Sequence, residues 1–464
     1  MPIRRPLVPS LAVELADADL GDARLNRRAA LLAERLSERP AESFPKALDD
    51  AELEAAYRFF GNEQVTPEGI LAPHIRQSAR RASDAGRIVV AHDTTQFEFG
   101  GEVKRTGLGR LIKPSAQGFF GHFSFAISAD GSRRPLGVVA VESVFRLKQS
   151  IGRGKWSPDK SLGESARWSR AVEKVEAALD DRVDAIHVMD REGDQYALLA
   201  SLVAADRPFV IRSFQDRRLA GDDVERLRDA ARAAKPILRR DVPLSPRKHI
   251  DGPKGQRHPA RRQRIAKLSY AATTVEVQRP PTARSSNAKA LSLNVIHVFE
   301  KRPPVGQPPV EWFLLTSLPI ATGDDVAFAV DCYRARWTIE EFFKALKTGC
   351  QFEKRQLESA HSLLNALAIL SQVAWRLLLL RHLARSDEAT SPSHALTASQ
   401  IGVLRAVARR PLPAKPTARD TMLAVAALGG HIKNNGDPGW IVLGRGMHDL
   451  LLLELGWRAR EQEM

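Results

Sequence analysis

The order of strand-like and helix-like segments between residues 88 and 212 restricts the fold more than any other feature. Residues 88–92 form a short apolar run typical of a buried strand, which ends at Asp93. Alternating stretches at 122–128 and 136–141 predict two more strands, and the Asp-Gly pair between them is a strong hairpin signal. The pattern then predicts a helix over 162–179, a strand over 185–189, a helix over 195–204 and a strand over 208–212.

Strand, strand, strand, helix, strand, helix, strand is the order of a ribonuclease-H-like mixed sheet. We therefore expect an α/β protein whose core spans residues 76–370. Residues 214–310 depart from this order of strands and helices. They contain Arg/Lys clusters, Pro-Gly pairs and short alternating stretches, which predict a β-rich insertion. Helical patterns over 1–75 and 371–464 predict separate helical domains at the two ends, because 464 residues exceed one typical core.

The excess of basic residues indicates the kind of partner. The chain has 70 Lys and Arg against 55 Asp and Glu, a formal charge of +15, which favours a polyanion such as nucleic acid. An anionic membrane surface would attract the same charge, but the sequence has no uninterrupted run of about 18 apolar residues. The nearest candidate, 363–380, is broken by Asn365, Ser371, Gln372 and Arg376 and predicts a core or interface helix.

The N-terminus and the cysteines indicate the compartment. The first residues, Met-Pro-Ile-Arg-Arg-Pro, lack the apolar core of a secretory signal, and two cysteines cannot form a disulfide framework. Cys332 and Cys350 lie far from any His/Cys pair with zinc-like spacing, so we expect no structural zinc. These features predict a cytoplasmic protein.

Two acidic residues follow predicted strands. Asp93 and Asp190 each come directly after an apolar run, where a side chain emerges at the edge of the sheet. Two such carboxylates can share metal ions. Taken singly, either residue is equally typical of a turn or a helix cap.

A third acidic residue lies within the helical pattern from Tyr333 to Lys347. At about 100° per residue, one arc of roughly 80° holds five polar or phenolic side chains: Tyr333, Arg336, Glu340, Lys344 and Lys347. The opposite side holds apolar residues: Ala335, Ile339, Phe342 and Leu346. This predicts an amphipathic helix that presents acid, bases and phenol outward. A solvated face with ion pairs between neighbouring turns is the alternative.

These residues resemble a known family. The helix matches the Tyr-x2-Arg-x3-Glu-x6-Lys signature of the insertion-sequence-four family of DDE transposases, with Glu340 at its acidic position. His92-Asp93-Thr94-Thr95 resembles the first catalytic block of that family, and Asp190-Arg191-Glu192-Gly193-Asp194 resembles the second, in the same order. The resemblance covers nearly the whole chain.

The resemblance implies a cut-and-paste DNA transposase. Asp93, Asp190 and Glu340 would be its catalytic residues and the ligands of Mg²⁺, with Mn²⁺ as a substitute. Tyr333, Arg336, Lys344 and Lys347, together with Arg212, would hold DNA phosphates. Trp312 would stack on an extruded base while a DNA hairpin forms, although a core tryptophan would show the same pattern. His92 is expected to be a packed, hydrogen-bonded residue, and Glu192, Asp194 and Glu341 are expected to be neighbours rather than ligands.

The same resemblance implies roles for the helical ends. Arg24, Arg27 and Arg28 would recognise the terminal inverted repeats, although a solvated face would look the same. The C-terminal domain, with 450–455 and Trp457, would pair two protomers in a synaptic homodimer, although an ordinary core helix would show the same pattern. The whole protein would bind target DNA as well as the terminal repeats, and it would be a nucleoid-associated bacterial protein. Two alternatives are a nuclease or recombinase without strand transfer and a domesticated DNA-binding protein without catalysis.

Overall fold

The computed structural model describes residues 10–100, 104–111, 117–145, 166–221, 225–246, 250–251, 257–258, 260–284, 286–385, 396–408, 411–432 and 436–463. They form two compact units. The first falls within Met1–Gly86, Asp93–Val183 and Trp337–Met464, and the second within Arg87–His92 and Asp184–Arg336.

The described strands all lie between Arg87 and Thr316, and most of the described helices come before or after them. The described helices are α1 (Leu11–Glu14), α2 (Ala23–Glu38), α3 (Phe44–Ala47), α4 (Asp50–Gly61), α5 (Pro67–Ala85), α6 (Arg167–Ala178), α7 (Tyr196–Ala204), α8 (Leu227–Ala233), α9 (Gly323–Ala335), α10 (Trp337–Lys344), α11 (Ala360–Arg385), α12 (Ala398–Val407), α13 (Ala418–Leu428) and α14 (Trp440–Glu463). The described strands are β1 (Arg87–Phe99), β2 (Gly109–Arg110), β3 (Gln117–Ser128), β4 (Pro135–Val144), β5 (Asp184–Met189), β6 (Phe209–Arg212), β7 (Pro236–Leu244), β8 (Ile250–Asp251), β9 (Arg257–His258), β10 (Arg264–Gln278), β11 (Ala290–Glu300) and β12 (Glu311–Thr316).

The second unit is built on a mixed sheet. Its strands follow the order β1, β5, β6, β12, β11, β10, β7. The first three run parallel to one another, and each later neighbour is antiparallel. The strands predicted over 185–189 and 208–212 and the helix over 195–204 are confirmed as β5, β6 and α7. Strands β7, β10 and β11 confirm that 214–310 is rich in β-structure, with Arg247 and Lys248 of its basic clusters outside the described residues.

The first unit contains the predicted hairpin. Strands β3 and β4 pair antiparallel through the turn that holds Asp130 and Gly131. Gly131 has φ +90°, a left-handed conformation that glycine adopts without a steric penalty. Helix α6 covers the described part of the helix predicted over 162–179, whose first four residues lie outside the described residues.

Strand β1 is longer than the sequence predicted. It does not end at Asp93 but continues to Phe99, so that Asp93 lies in the middle of the strand. The reason is the pattern after Asp93, where β-branched Thr94 and Thr95 lead into an alternation that buries Phe97 and Phe99. The first six residues of β1 belong to the second unit, and the remainder belongs to the first.

Helix α11 is a core helix of the first unit, in agreement with the prediction. It is long and apolar enough to cross a membrane, but 94% of its most apolar window is buried inside the protein. Two of the polar residues that interrupt its apolar run bond to other parts of the first unit. Asn365 donates to the carbonyls of Phe60 and Val65 at 3.0 Å, and Arg376 donates to Ser37 Oγ at 2.9 Å. These hydrogen bonds offset part of the cost of burying the two side chains.

Candidate active site

Asp93 is partly exposed and lies beside a network of polar side chains. Its Oδ1 accepts a hydrogen bond from the backbone N–H of Thr94 at 2.8 Å. The Thr94 hydroxyl lies 2.8 Å from Nδ1 of His122 and accepts a hydrogen bond from Arg167 Nε at 3.1 Å. Burial and the charge of Arg167 lower the pKa of His122 to about 3, so that its ring is neutral at physiological pH. This network fixes the residue next to Asp93, and nothing in the local sequence indicated it.

Asp190 follows β5 directly, as predicted. It is partly exposed and precedes a short 3₁₀ turn over Arg191–Gly193. Its Oδ1 accepts a hydrogen bond from the backbone N–H of Glu192 at 2.9 Å. The strand therefore delivers Asp190 to the sheet edge, and the turn orients its carboxylate.

Asp194 has a supporting role in the same loop. Its side chain is 4% exposed. Oδ2 accepts the backbone N–H groups of Phe214 and Gln215 at 2.7 and 2.8 Å, and Oδ1 pairs with Arg217 Nη2 at 2.5 Å. These contacts tie the loop after β5 to the loop after β6, and the role of Asp194 as a neighbour rather than a ligand stays a prediction.

Glu340 lies on α10 and is partly exposed. The apolar side of the predicted helix is confirmed, because its four residues are buried: Ala335, Ile339, Phe342 and Leu346. The predicted continuous helix is wrong in two respects. Helix α9 ends at Ala335, although Arg336 keeps helical dihedrals, and residues Ala345–Gly349 form a π-helix. Since a π-helix has more residues per turn than an α-helix, steps of 100° do not locate Lys347.

Tyr333 does not point outward as the helical projection predicted. Its side chain is only 7% exposed, and its ring meets that of Trp312 edge to face, with centroids 5.8 Å apart. Trp312 is half-buried, and the guanidinium of Arg212 lies 5.9 Å from its ring centroid. The structure thus brings together three predicted DNA-binding residues of the second unit in one aromatic and cationic cluster.

Further cations lie beside this cluster. Burial and the positive charges of Arg212 and Arg228 lower the pKa of Arg191. Guanidinium groups that repel one another in this way form a favourable setting for an anion such as phosphate. Arg191 and Arg228 were not identified from the sequence as DNA contacts, because only the fold brings them near Arg212.

Two predicted lysines occupy different environments in the first unit. Lys344 is exposed, and its Nζ lies 5.8 Å from the ring centroid of Trp337, a tryptophan that is 54% exposed. Lys347 donates to the carbonyl of Gln96 at 2.5 Å, and its Nζ lies 3.6 Å from Glu353. The contact between Trp337 and Lys344 was not predicted from the sequence, although their seven-residue spacing places both on one helical face.

The predicted arginines of the N-terminal region lie on α2. Arg24 has a side chain that is 83% exposed, and it pairs with Asp22, the residue that caps the helix, at 2.8 Å. Arg27 is exposed and Arg28 is partly exposed. These side chains are accessible to a polyanion.

The three acidic residues suit a hard divalent cation. Carboxylate oxygens without His or Cys are the ligands that Mg²⁺ and Mn²⁺ prefer. Within the described ranges, which include these three residues, no group of three or more His, Cys, Asp or Glu side chains is placed so that it could hold a metal ion.

Comparison with protein families identifies the chain. Residues 10–65 match the family described as transposase DNA-binding, and residues 161–375 match the transposase DDE domain. The chain is a DDE transposase. It is therefore a metal-dependent enzyme that cleaves DNA. Asp190 and Glu340 lie inside the matched DDE segment, and the three arginines of α2 lie inside the matched DNA-binding segment.

Proposed function

We propose that this transposase moves DNA by a cut-and-paste reaction, as a member of the insertion-sequence-four family similar to the transposase of bacterial transposon five. The observation that carries the proposal is the ordered set of three motifs. Asp93-Thr94-Thr95 comes first, Asp190-Arg191-Glu192 second and the Tyr-Arg-Glu-Lys helix third. The second and third motifs fall within the DDE match.

The proposed catalytic core is ribonuclease-H-like and spans residues 76–370. The antiparallel pair β3 and β4 and the parallel series β1, β5 and β6 support this arrangement. Asp93, Asp190 and Glu340 would hold Mg²⁺, which Mn²⁺ could replace. Two such ions, when bound, would neutralise charge on the attacking and leaving oxygens of a phosphodiester.

The proposed reaction proceeds in four steps on DNA. Water first attacks a phosphodiester at the transposon end and releases a 3′-hydroxyl. That hydroxyl attacks the opposite strand, which closes a hairpin and frees the flanking DNA. A second water opens the hairpin, and the 3′-hydroxyl then joins a phosphodiester of the target DNA. Throughout, Arg212 and Tyr333 orient phosphates together with three cations of the helical segment: Arg336, Lys344 and Lys347. The arginines can bind a phosphate through two hydrogen bonds at once.

The two ends of the chain have proposed binding roles. The helical domain over 1–75 recognises the terminal inverted repeats through Arg24, Arg27 and Arg28. The domain over 371–464 pairs two protomers in a synaptic complex. Exposed apolar side chains on α14 support this proposal: Ile441, Leu452, Leu453, Leu455 and Trp457. We place the protein at the bacterial nucleoid.

Reconstitution with DNA tests the proposed function. The substrate is a linear fragment that carries the DNA flanking the reading frame on both sides, incubated with the protein and Mg²⁺. We expect nicked, hairpin-ended and strand-joined products, which denaturing gels separate. Breaks without joined products would instead indicate a nuclease, and binding without any break would indicate a domesticated DNA-binding protein.

Replacing Trp312 with Ala is expected to slow hairpin closure about tenfold while the first nick remains. Stacking of a base on an aromatic ring contributes about 1–3 kcal/mol, and only the hairpin step requires an extruded base. The ratio of hairpin to nicked product measures this effect. Trp312→Phe retains a ring and is the matched control. An equal fall of both products would show that Trp312 is a core residue.

A further inference from the structure

A buried pair of histidines links the two strands that lead to Asp93 and Asp190. His92 is the last residue of β1 in the second unit, and His187 lies in β5. Both side chains are fully buried. Nε2 of His92 lies 2.9 Å from Nδ1 of His187, and the ring planes differ by 28°. One ring therefore donates a hydrogen bond to the other across neighbouring strands.

The register places this bond at the end of the paired region. Strands β1 and β5 run parallel, and their last paired residues are His92 and Met189. Asp93 is the next residue after His92, and Asp190 is the next after Met189. His187 pairs with Val90, so the hydrogen bond runs diagonally across the last positions before the two carboxylates.

The surroundings of the pair are apolar. Ile88 and Val90 of β1 and Met189 of β5 lie on the same face of the sheet as the two histidines, and all three are fully buried. A valine or isoleucine at either histidine position would avoid the cost of burying a polar ring. A hydrogen bond has a narrow range of length and angle, so it fixes the separation of two strands more closely than apolar contacts do.

We infer that the His92–His187 hydrogen bond is a positioning device for the metal-binding carboxylates. This inference rests on the proposed role of Asp93 and Asp190 as ligands. Groups in a catalytic site must be held within about 0.5 Å of their working geometry, and residues behind metal ligands change metal affinity by about 10–100-fold when replaced. The pair fixes the spacing of β1 and β5 at their last paired positions, and each aspartate is the next residue along its strand.

The test compares two double variants of identical composition. His92→Gln with His187→Asn places an amide where each ring now presents its bonding nitrogen, because Gln reaches the Nε2 position and Asn reaches the Nδ1 position. His92→Asn with His187→Gln swaps the two lengths and misplaces both amides. Mn²⁺ binding is followed by electron paramagnetic resonance on the full-length protein, and binding to flanking DNA is followed without metal.

The matched variant is expected to bind Mn²⁺ within about threefold of the parent, and the swapped variant about tenfold more weakly. DNA binding should be equal in both. Val90→Ala, a buried change in the same strand, should lower the melting temperature and leave Mn²⁺ affinity unchanged. Should the swapped variant not fold, His187→Asn and His187→Gln with His92 intact give the same comparison.

Equal Mn²⁺ affinity of the matched and swapped variants, whether strong or weak, would overturn the inference. Asp93→Asn and Asp190→Asn separate this outcome from a failure of the proposed function. If those two variants lose Mn²⁺ while the two histidine variants have equal Mn²⁺ affinity, only the positioning role is wrong. If they retain parental Mn²⁺ affinity, the proposed ligands themselves are wrong.

Discussion

Asp93→Asn, Asp190→Asn and Glu340→Gln are each expected to lower the rate of Mg²⁺-dependent DNA cleavage at least about 1,000-fold. Each change keeps the shape of the side chain and removes the negative charge that would hold a cation. Metal ions contribute several kcal/mol to stabilising the charge that develops on phosphate oxygens, and each 1.36 kcal/mol is a factor of ten in rate. Initial cleavage rates on the flanking-DNA fragment measure the effect.

Binding of the same DNA in a chelator should be unchanged in all three variants. Glu341→Gln is the matched control for Glu340, because it is the next residue and pairs with Arg381 at 3.2 Å. Glu192→Gln serves the same purpose two residues after Asp190. Both controls are expected to cleave within a few-fold of the parent. A triad variant that cleaves as fast as its control would remove that residue from the proposed site.

Replacing Glu14 with Ala is expected to destabilise the first unit by about 3–5 kcal/mol, the usual cost of breaking a buried charge pair. Glu14 is 1% exposed. Its Oε1 lies 2.6 Å from His74 Nδ1 and 2.8 Å from Arg81 Nη2. His74 Nε2 accepts the backbone N–H of Val138 at 3.1 Å, so the ring is neutral and donates from Nδ1 to the carboxylate. Thermal unfolding measures the loss.

This network also predicts how stability depends on pH. Burial raises the pKa of Glu14, but the His74 hydrogen bond and the Arg81 charge outweigh it and lower that pKa from 4.5 to about 2. A lowered carboxyl pKa gives stability that is complete above about pH 4.5 and is lost as the pH falls toward 2. Burial also lowers the pKa of His74 from 6.5, so stability begins to fall below about pH 6.5. Glu14→Ala should abolish the lower part of this dependence.

Asp17→Ala is the control for Glu14. Asp17 lies three residues further along and pairs with Arg80 at 3.8 Å, but both side chains are about half exposed. Exposed ion pairs contribute about 0–1 kcal/mol, so the change should shift the melting temperature little. Equal shifts for Asp17→Ala and Glu14→Ala would show that the buried network contributes no more than a surface pair.

The short buried elements of the core could be predicted from the sequence. Strands β5 and β6 and helix α7 are apolar runs bounded by Asp, Gly or Pro, and each was found near its predicted position. The hairpin of β3 and β4 was also predicted, because Asp-Gly punctuates two alternating stretches. The position of Asp190 directly after β5 could also be predicted, because the strand ends where the apolar run ends.

Other features depend on contacts that local sequence does not encode. Tyr333 is buried with its ring against Trp312, which is distant in the sequence, and the π-helix after Lys344 has no local signal. His92 was correctly expected to be packed and hydrogen-bonded, but its partner lies 95 residues away. The network of Thr94, His122 and Arg167 likewise joins residues that are 28 and 73 positions apart. Only tertiary structure reveals such partners.

In the proposed active site, Asp93, Asp190 and Glu340 would hold one set of metal ions. Fe²⁺ in place of Mg²⁺, with ascorbate and peroxide, generates hydroxyl radicals that cut the polypeptide beside a bound ion. In the complex with flanking DNA we expect cuts in β1 near Asp93, after β5 near Asp190 and in α10 near Glu340, all suppressed by excess Mg²⁺ and by Asp190→Asn. Cuts confined to one of the three segments, or cuts that persist in Asp190→Asn, would contradict a shared metal site.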